Sequence, residues 1–229
     1  MDKKGFTKLF SISISVYVLF LFPLIFFEKG SFCLTLNASH NLYFDFFFKY
    51  FTVMGNGIIF GFAFISFLFI RFYYATLVAI VGLVHGIVVY FFKQFIFFEA
   101  KRPLGYFGDL SNLNLVEGVD LYYSNSFPSG HTASAFALAI LVILIFNRKR
   151  FILPIFSLAI LVGVSRIYLL HHFFIDTFCG SLIGIFTALI SWYVLENYTN
   201  IKQKNWANSF LSINFKINPN SFSKSEVMH

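Results

Sequence analysis

Charge is scarce in this chain. Only 12% of its 229 residues are Asp, Glu, Lys or Arg, about half the share of an ordinary soluble domain. So few charges cannot cover a water-facing surface, which excludes a soluble globular protein. Cysteine is nearly absent: Cys33 falls in the first outer loop and Cys179 inside the last apolar run. The two lie at different depths, which argues against a disulfide, and neither belongs to a metal-ligand spacing. Acidic residues are also few, 10 against 17 Lys and Arg. The basic residues form no single soluble face, so no nucleic-acid partner is expected. No internal repeat is present.

What the chain has instead is apolar length. Hydrophobic residues make up 58% of it, 36 of them Phe, and the mean hydropathy is +0.76. A membrane span needs roughly 20 residues, because a helix rises about 1.5 Å per residue through about 30 Å of hydrocarbon. Charge-free runs of that order occur at Leu9–Phe27, Tyr50–Ile70, Phe72–Phe92, Ser129–Phe146, Phe151–Ser165 with its continuation to Leu170, and Thr177–Leu195. The expected fold is all-α, a polytopic membrane bundle of six transmembrane helices. Leu9–Phe27 follows the basic start Lys3, Lys4 and Lys8. Its apolar core is too long for a signal peptide and no small-residue cleavage site follows, so it is read as an uncleaved first span.

Basic residues set the orientation. With the N-terminus in the cytoplasm, Lys3, Lys4, Lys8, Arg71, Arg148, Lys149, Arg150 and the tail lysines Lys202, Lys204, Lys216 and Lys224 share the inner side. The outer side receives Lys29, Lys49, Lys93, Lys101, Arg102 and Arg166. Residues 1–195 form the expected membrane domain, with a motif-bearing core over 50–195. Residues 196–229 read as a flexible polar cytoplasmic tail. Arg71 marks a tight hairpin between the second and third spans. The longest connection, 93–128, is aromatic and polar. Asn37-Ala38-Ser39 and Asn197-Tyr198-Thr199 match the glycosylation sequon.

Charged groups at membrane depth are costly and mark functional sites. Here three clusters fall at the outer ends of the spans. Lys93 and Lys101-Arg102-Pro103 follow the third run. Pro128-Ser129-Gly130-His131 opens the fourth. Ser165-Arg166, His172 and Asp176 bracket the connection from the fifth to the sixth. His172 and Asp176 are four residues apart, so a helix would place both on one face about 6 Å apart. A carboxylate there fixes the imidazole tautomer and leaves the other nitrogen as a nucleophile. Arg166 offers a planar clamp for phosphate oxygens. Pro128 suits a helix start, where unpaired N–H groups and the helix dipole attract an anion. Gly130 lets that anion approach the main chain, and His131 can supply a proton to a leaving oxygen. Together the clusters suit phosphoryl transfer, which needs positioning and charge neutralisation.

These motifs resemble those of the type 2 phosphatidic acid phosphatase superfamily, which includes vanadium haloperoxidases and glucose-6-phosphatase. The family pattern is Lys, then Arg-Pro; Pro-Ser-Gly-His; and Ser-Arg, five residues, His, three residues, Asp. Pro128-Ser129-Gly130-His131 is intact, and Ser165-Arg166, His172 and Asp176 keep the full spacing. The first motif departs. The family has six residues between Lys and Arg-Pro, whereas eight separate Lys93 from Arg102, so Lys101 is an alternative to Lys93. The resemblance covers 50–195.

The resemblance implies a membrane lipid phosphatase with no cofactor and no metal. His172 would form a phosphohistidine, Asp176 would orient it, and His131 would protonate the leaving group and then activate water. Arg102, Arg166, Lys93, Ser129 and Gly130 would bind the phosphate oxygens. The implied partner is a membrane lipid at the outer face of the inner (plasma) membrane: undecaprenyl diphosphate, phosphatidic acid or phosphatidylglycerol phosphate, or a lipid A phosphate. Two rivals stand beside it. A haloperoxidase would use a related pocket for vanadate, and a non-hydrolytic lipid-binding or transport protein would use the same scaffold. His171 is read as interfacial, and His85 and Asn56 as interhelical hydrogen-bonding groups. Oligomeric state has no signal in the sequence.

Overall fold

The structure, a computed structural model, describes residues 28–199. Leu9–Phe27, the basic start and most of the tail lie outside the described residues. Among the described residues the architecture is all-helical: α1 (Ser31–Ala38), α2 (Leu42–Phe51), α3 (Ile58–Ile70), α4 (Phe72–Phe91), α5 (Pro103–Phe107), α6 (Gly130–Phe146), α7 (Ile152–Tyr168) and α8 (Phe174–Tyr198).

Phe72–Ile96, which is α4 with its π-helical extension, and α8 are each long and apolar enough to cross a membrane. The pair Leu42–Gly55 and Ile58–Ile70 passes that test jointly but is bent by 58°. The helices α6 and α7 are shorter, 17 residues each. Side chains such as Phe62 at 63% and Leu153 at 76% exposure face outward, as expected where lipid rather than water is the surrounding medium.

The expected run Tyr50–Ile70 is not one straight helix. It breaks at a 3-10 turn, Thr52–Gly55, and the first half of the bent pair begins back at Leu42, inside the expected outer loop. Two local features cause the break. The Asn56 carboxamide oxygen accepts the Ile58 N–H at 3.0 Å, which starts a new helix. Gly55 packs so tightly that a Cβ would lie 2.7 Å from the His131 carbonyl oxygen. Asn56 is therefore a local cap rather than an interhelical bridge. His85 does bridge helices: its Nδ1 lies 2.9 Å from the Val81 carbonyl and its Nε2 3.1 Å from Ser134 Oγ on α6.

The centre of the bundle is the α6–α8 seam. It is built from small residues that let backbones approach, the usual basis of helix association in lipid. A Cβ on Gly184 would lie 2.2 Å from the Ala133 carbonyl oxygen, and one on Gly180 2.4 Å from the Ser129 carbonyl oxygen. Arg71, extended at φ −165°, joins α3 and α4 as the expected tight hairpin. The helix α8 continues through Tyr198, and Glu196 accepts from the Tyr73 hydroxyl at 2.8 Å, so Glu196 is helical rather than the start of a flexible tail. A smaller apolar cluster, including Cys33, Leu104, Ile167 and Phe173, seals the other end.

Asn37 is 4% exposed and pairs with Asn114 through Nδ2 to the carbonyl at 2.7 Å and Oδ1 from the amide at 2.9 Å. It is not available for glycosylation. Cys33 and Cys179 are both free thiols.

Candidate active site

Alternating helix direction brings the C-terminal ends of α4 and α7 beside the N-terminal ends of α6 and α8. Direct contacts tie these ends together. Ser129 N–H, before α6, donates to the Asp176 carbonyl on α8 at 2.9 Å. Arg102 Nη1 donates to the His171 carbonyl at 3.2 Å. Lys93 Nζ donates to the Asn125 carbonyl at 2.5 Å.

His172 and Asp176 meet, although not by the expected geometry. His172 is not helical: it lies in the turn after α7, while Asp176 sits in the first turn of α8. Asp176 Oδ2 accepts the Phe173 N–H at 2.9 Å and thereby caps α8. His172 Nδ1 lies 3.5 Å from the same oxygen and has no hydrogen-bond partner. Such a contact tightens when substrate binds. Burial, with Arg102, Arg166 and Lys93 adding positive charge, holds the His172 imidazole well below its ordinary pKa. The ring is therefore neutral at neutral pH, the form that carries a lone pair.

His131 lies on the first turn of α6, within electrostatic reach of Arg166, His171, Arg102 and Lys93. Ser129 is fully buried and caps this helix; its hydroxyl lies 2.9 Å from Thr132 Oγ1. Both its amide and its hydroxyl are thus used by the fold. The first N–H groups of α6, at Gly130 and His131, have no intrahelical acceptor. A Cβ on Gly130 would meet only Val89 Cγ1 at an ordinary 3.6 Å. Packing does not require glycine there, and the open approach to the main chain suits an anion.

Arg166 is buried on the last turn of α7. Its Nη1 donates to Thr52 Oγ1 at 2.8 Å, and its Nε is buried without a partner. Thr52 belongs to the 3-10 turn that breaks the bent span, so the irregularity places a partner for the arginine. Tyr168 steadies this wall by donating to Asp45 on α2 at 2.5 Å. Arg102 donates from Nε to the Ser124 carbonyl at 2.8 Å and lies 4.8 Å from the centre of the Tyr122 ring. Burial lowers its pKa, but guanidinium stays charged.

Lys93 is not past the helix end as expected. It lies on the π-helical segment Phe92–Ile96 that extends α4, and its charge acts on His172. Lys101 is exposed. Of the two alternative lysines, it is Lys93 that faces the cluster. His171, read from the sequence as interfacial, is buried. Its Nε2 lies 2.9 Å from the Asp120 carbonyl, and burial followed by Arg166 pushes its pKa down to about 3.

Sequence reasoning missed two side chains. Ser126 Oγ donates to Asp176 Oδ2 at 2.5 Å, with both groups buried, and Thr52 pairs with Arg166. Serine and threonine are too common for either to carry a signal. Among the described residues, no group of three or more His, Cys, Asp or Glu side chains could hold a metal ion.

Residues 72–200 match the PAP2 superfamily, a stretch that holds every residue of this cluster except Thr52. The lipid A 1-phosphatase of Porphyromonas gingivalis is 34% identical over 75 residues, 32% of this chain and 17% of that protein. The bacitracin transport permease protein BcrC of Bacillus licheniformis is 31% identical over 97 residues, 42% of this chain and 46% of that protein. The chain therefore spans less than half the length of these curated relatives. The crystal structure of Aquifex aeolicus LpxE is similar with a TM-score of 0.64 and 28% identity, over 73% of this chain and 97% of that one.

Proposed function

The chain belongs to the PAP2 superfamily, and from that premise we propose that it is a membrane lipid phosphatase working through a phosphohistidine. The observation that carries this reading is the meeting of Lys93, Arg102, His131, Arg166, His172 and Asp176 at one end of the bundle, reached from four separate segments.

His172 supplies the nucleophile. Its Nε2 lone pair forms a bond to phosphorus while the bond to the leaving oxygen breaks. Its Nδ1–H turns toward Asp176 Oδ2, which offsets the positive charge that the ring acquires. Lys93, Arg102, Arg166 and the N–H groups of Gly130 and His131, on the helix that Ser129 caps, neutralise the phosphoryl oxygens. A bound phosphate offsets the positive charge of those cations, and in that complex the His131 imidazole carries the proton it gives to the leaving oxygen. His131 then takes a proton from the water that attacks phosphorus and frees His172.

The site faces the extracytoplasmic side. Support comes from Arg71 and Arg148–Arg150, which lie at the opposite ends of the helices and match the positive-inside rule. A substrate diffusing in the bilayer reaches this rim laterally. The candidates are undecaprenyl diphosphate, phosphatidic acid or phosphatidylglycerol phosphate, and a lipid A phosphate. The test is phosphate release from that panel by purified protein, with and without chelator, and with His172→Ala as blank. The reading predicts release that survives chelator and disappears in the variant. Release that needs a divalent ion, or persists in His172→Ala, contradicts it.

A second reading, binding or transport of a lipid phosphate without hydrolysis, is favoured by the transport name of one relative. It predicts flux in liposomes with no phosphate release.

A further inference from the structure

We propose that Ser126 is a positioning residue for this chemistry: its hydroxyl fixes the Asp176 carboxylate where it receives the His172 Nδ1–H as phosphorus bonds to Nε2. The proposal rests on the reading of His172 as nucleophile. Ser126 belongs to none of the motif positions.

A carboxylate removed from water needs hydrogen-bond donors to hold its charge and direction. Asp176 is 3% exposed. Two donors converge on a single oxygen, Oδ2: Ser126 Oγ at 2.5 Å and the Phe173 N–H at 2.9 Å. The amide is fixed by the start of α8. Ser126 comes from another part of the chain, and its own N–H is anchored to the Ala100 carbonyl at 2.9 Å. It thus links the segment carrying Arg102 to the carboxylate. The oxygen so held is the one 3.5 Å from His172 Nδ1.

Nδ1 lies 3.5 Å from Oδ2 and makes no hydrogen bond, so the interaction with Asp176 is still to be formed. It forms when the ring becomes charged on phosphorylation. Lys29, Lys93 and Arg102 also act on Asp176 electrostatically, and Cys33 and Cys179 lie in its field. These groups set the potential around the carboxylate. Ser126 and Phe173 set which way it points. Losing Ser126 therefore affects the step in which His172 bonds to phosphorus more than the step in which phosphate is bound.

The distinguishing probe is inorganic vanadate, which takes a five-coordinate form bonded to an imidazole nitrogen, compared with inorganic phosphate, which only occupies the anion site. Purified full chain in detergent is titrated with each. Ser126→Ala is expected to weaken vanadate about tenfold or more while phosphate changes by less than about twofold. With lipid substrate, kcat falls and KM holds. Ser126→Thr keeps the donor and restores vanadate to within about threefold, whereas Ser126→Cys, a weak donor of similar size, behaves as alanine does. If Ser126→Ala does not fold, the Thr and Cys pair decides the matter alone.

Unchanged vanadate affinity in Ser126→Ala overturns the proposal. So does parallel loss of both anions without rescue by threonine, the mark of a merely structural role, or equal behaviour of the Thr and Cys variants. Failure of the unaltered protein to bind vanadate removes His172 as nucleophile and this proposal with it. Normal vanadate binding that ignores Ser126 sinks the proposal alone.

Discussion

His85 and His172 are both buried histidines in the same apolar bundle, and they are treated differently. His85, in the middle of α4, spends both ring nitrogens, on Val81 and Ser134, and stacks on Phe60 at 4.8 Å. His172, at the rim, leaves Nδ1 without a hydrogen bond beside a carboxylate. The same contrast holds for the regions around them. The α6–α8 seam is closed by glycine and alanine in backbone contact. The rim gathers cations and leaves Arg166 Nε, His171 Nδ1 and His172 Nδ1 unsatisfied. Unspent buried polar atoms are expensive, so their concentration at one end points to a ligand that completes them. A buried histidine alone is poor evidence of chemistry; a buried histidine with an unused nitrogen among cations is far better evidence.

Each side of this contrast can be broken separately. The largest expected effect is at the nucleophile: His172→Ala lowers phosphate release by at least about a thousandfold. His85→Ala is expected to retain turnover within about tenfold and to lower the melting temperature instead, because it removes a structural hydrogen bond. Near-equal losses of turnover in the two variants would dissolve the distinction. Next comes Asp176→Asn, which keeps the shape of the side chain but loses its charge. It is expected to lower kcat by about a hundredfold or more, by analogy with carboxylates that orient catalytic histidines. Arg166→Lys follows, with a loss of about tenfold to a hundredfold, since an ammonium cannot reproduce the planar clamp; full activity would mean that Arg166 serves only Thr52.

On the structural side, Gly184→Ala should destabilise the bundle by about 1–3 kcal/mol, as overpacking does, because the added carbon meets the Ala133 carbonyl. The check is a thermal melt in detergent, and an unchanged melting temperature would show that the seam yields. The smallest effect is one of pH. His171 and His172 have lowered pKa values in the fold, so the unfolded chain binds more protons once pH falls below the ordinary histidine value of about 6.5. Their contribution to stability is therefore fully present above that value and declines as pH drops toward the folded-state values. His171→Gln should flatten part of that decline between about pH 6.5 and 4.

The sequence made much of this arrangement legible. Charge-free runs located α4, α6, α7 and α8 because lipid exposure removes polar residues from whole stretches. Motif spacing located His131, Arg166, His172 and Asp176 because their order along antiparallel helices already implies one rim. The bend at Thr52–Gly57 escaped notice because an apolar run carries no mark of direction. Two glycines and an asparagine suit a packed helix as well as a break. The helices Ser31–Ala38 and Leu42–Phe51 were hidden in what reads as a loop. Ser126 escaped for a different reason: its role depends on the direction of one hydroxyl across 50 residues of sequence, which no local pattern records. The choice of Lys93 over Lys101 likewise needed the π-helical turn that carries the former inward.

The most direct measurement is trapping of the phosphoryl group. Purified protein is mixed with a turned-over lipid phosphate, quenched at alkaline pH where phosphohistidine survives, and mapped by mass spectrometry. Phosphate on His172 in the unaltered protein, and its absence in His172→Ala, is the predicted result. Active protein with the phosphoryl group on another residue, or turnover with none trapped on His172, would contradict the account.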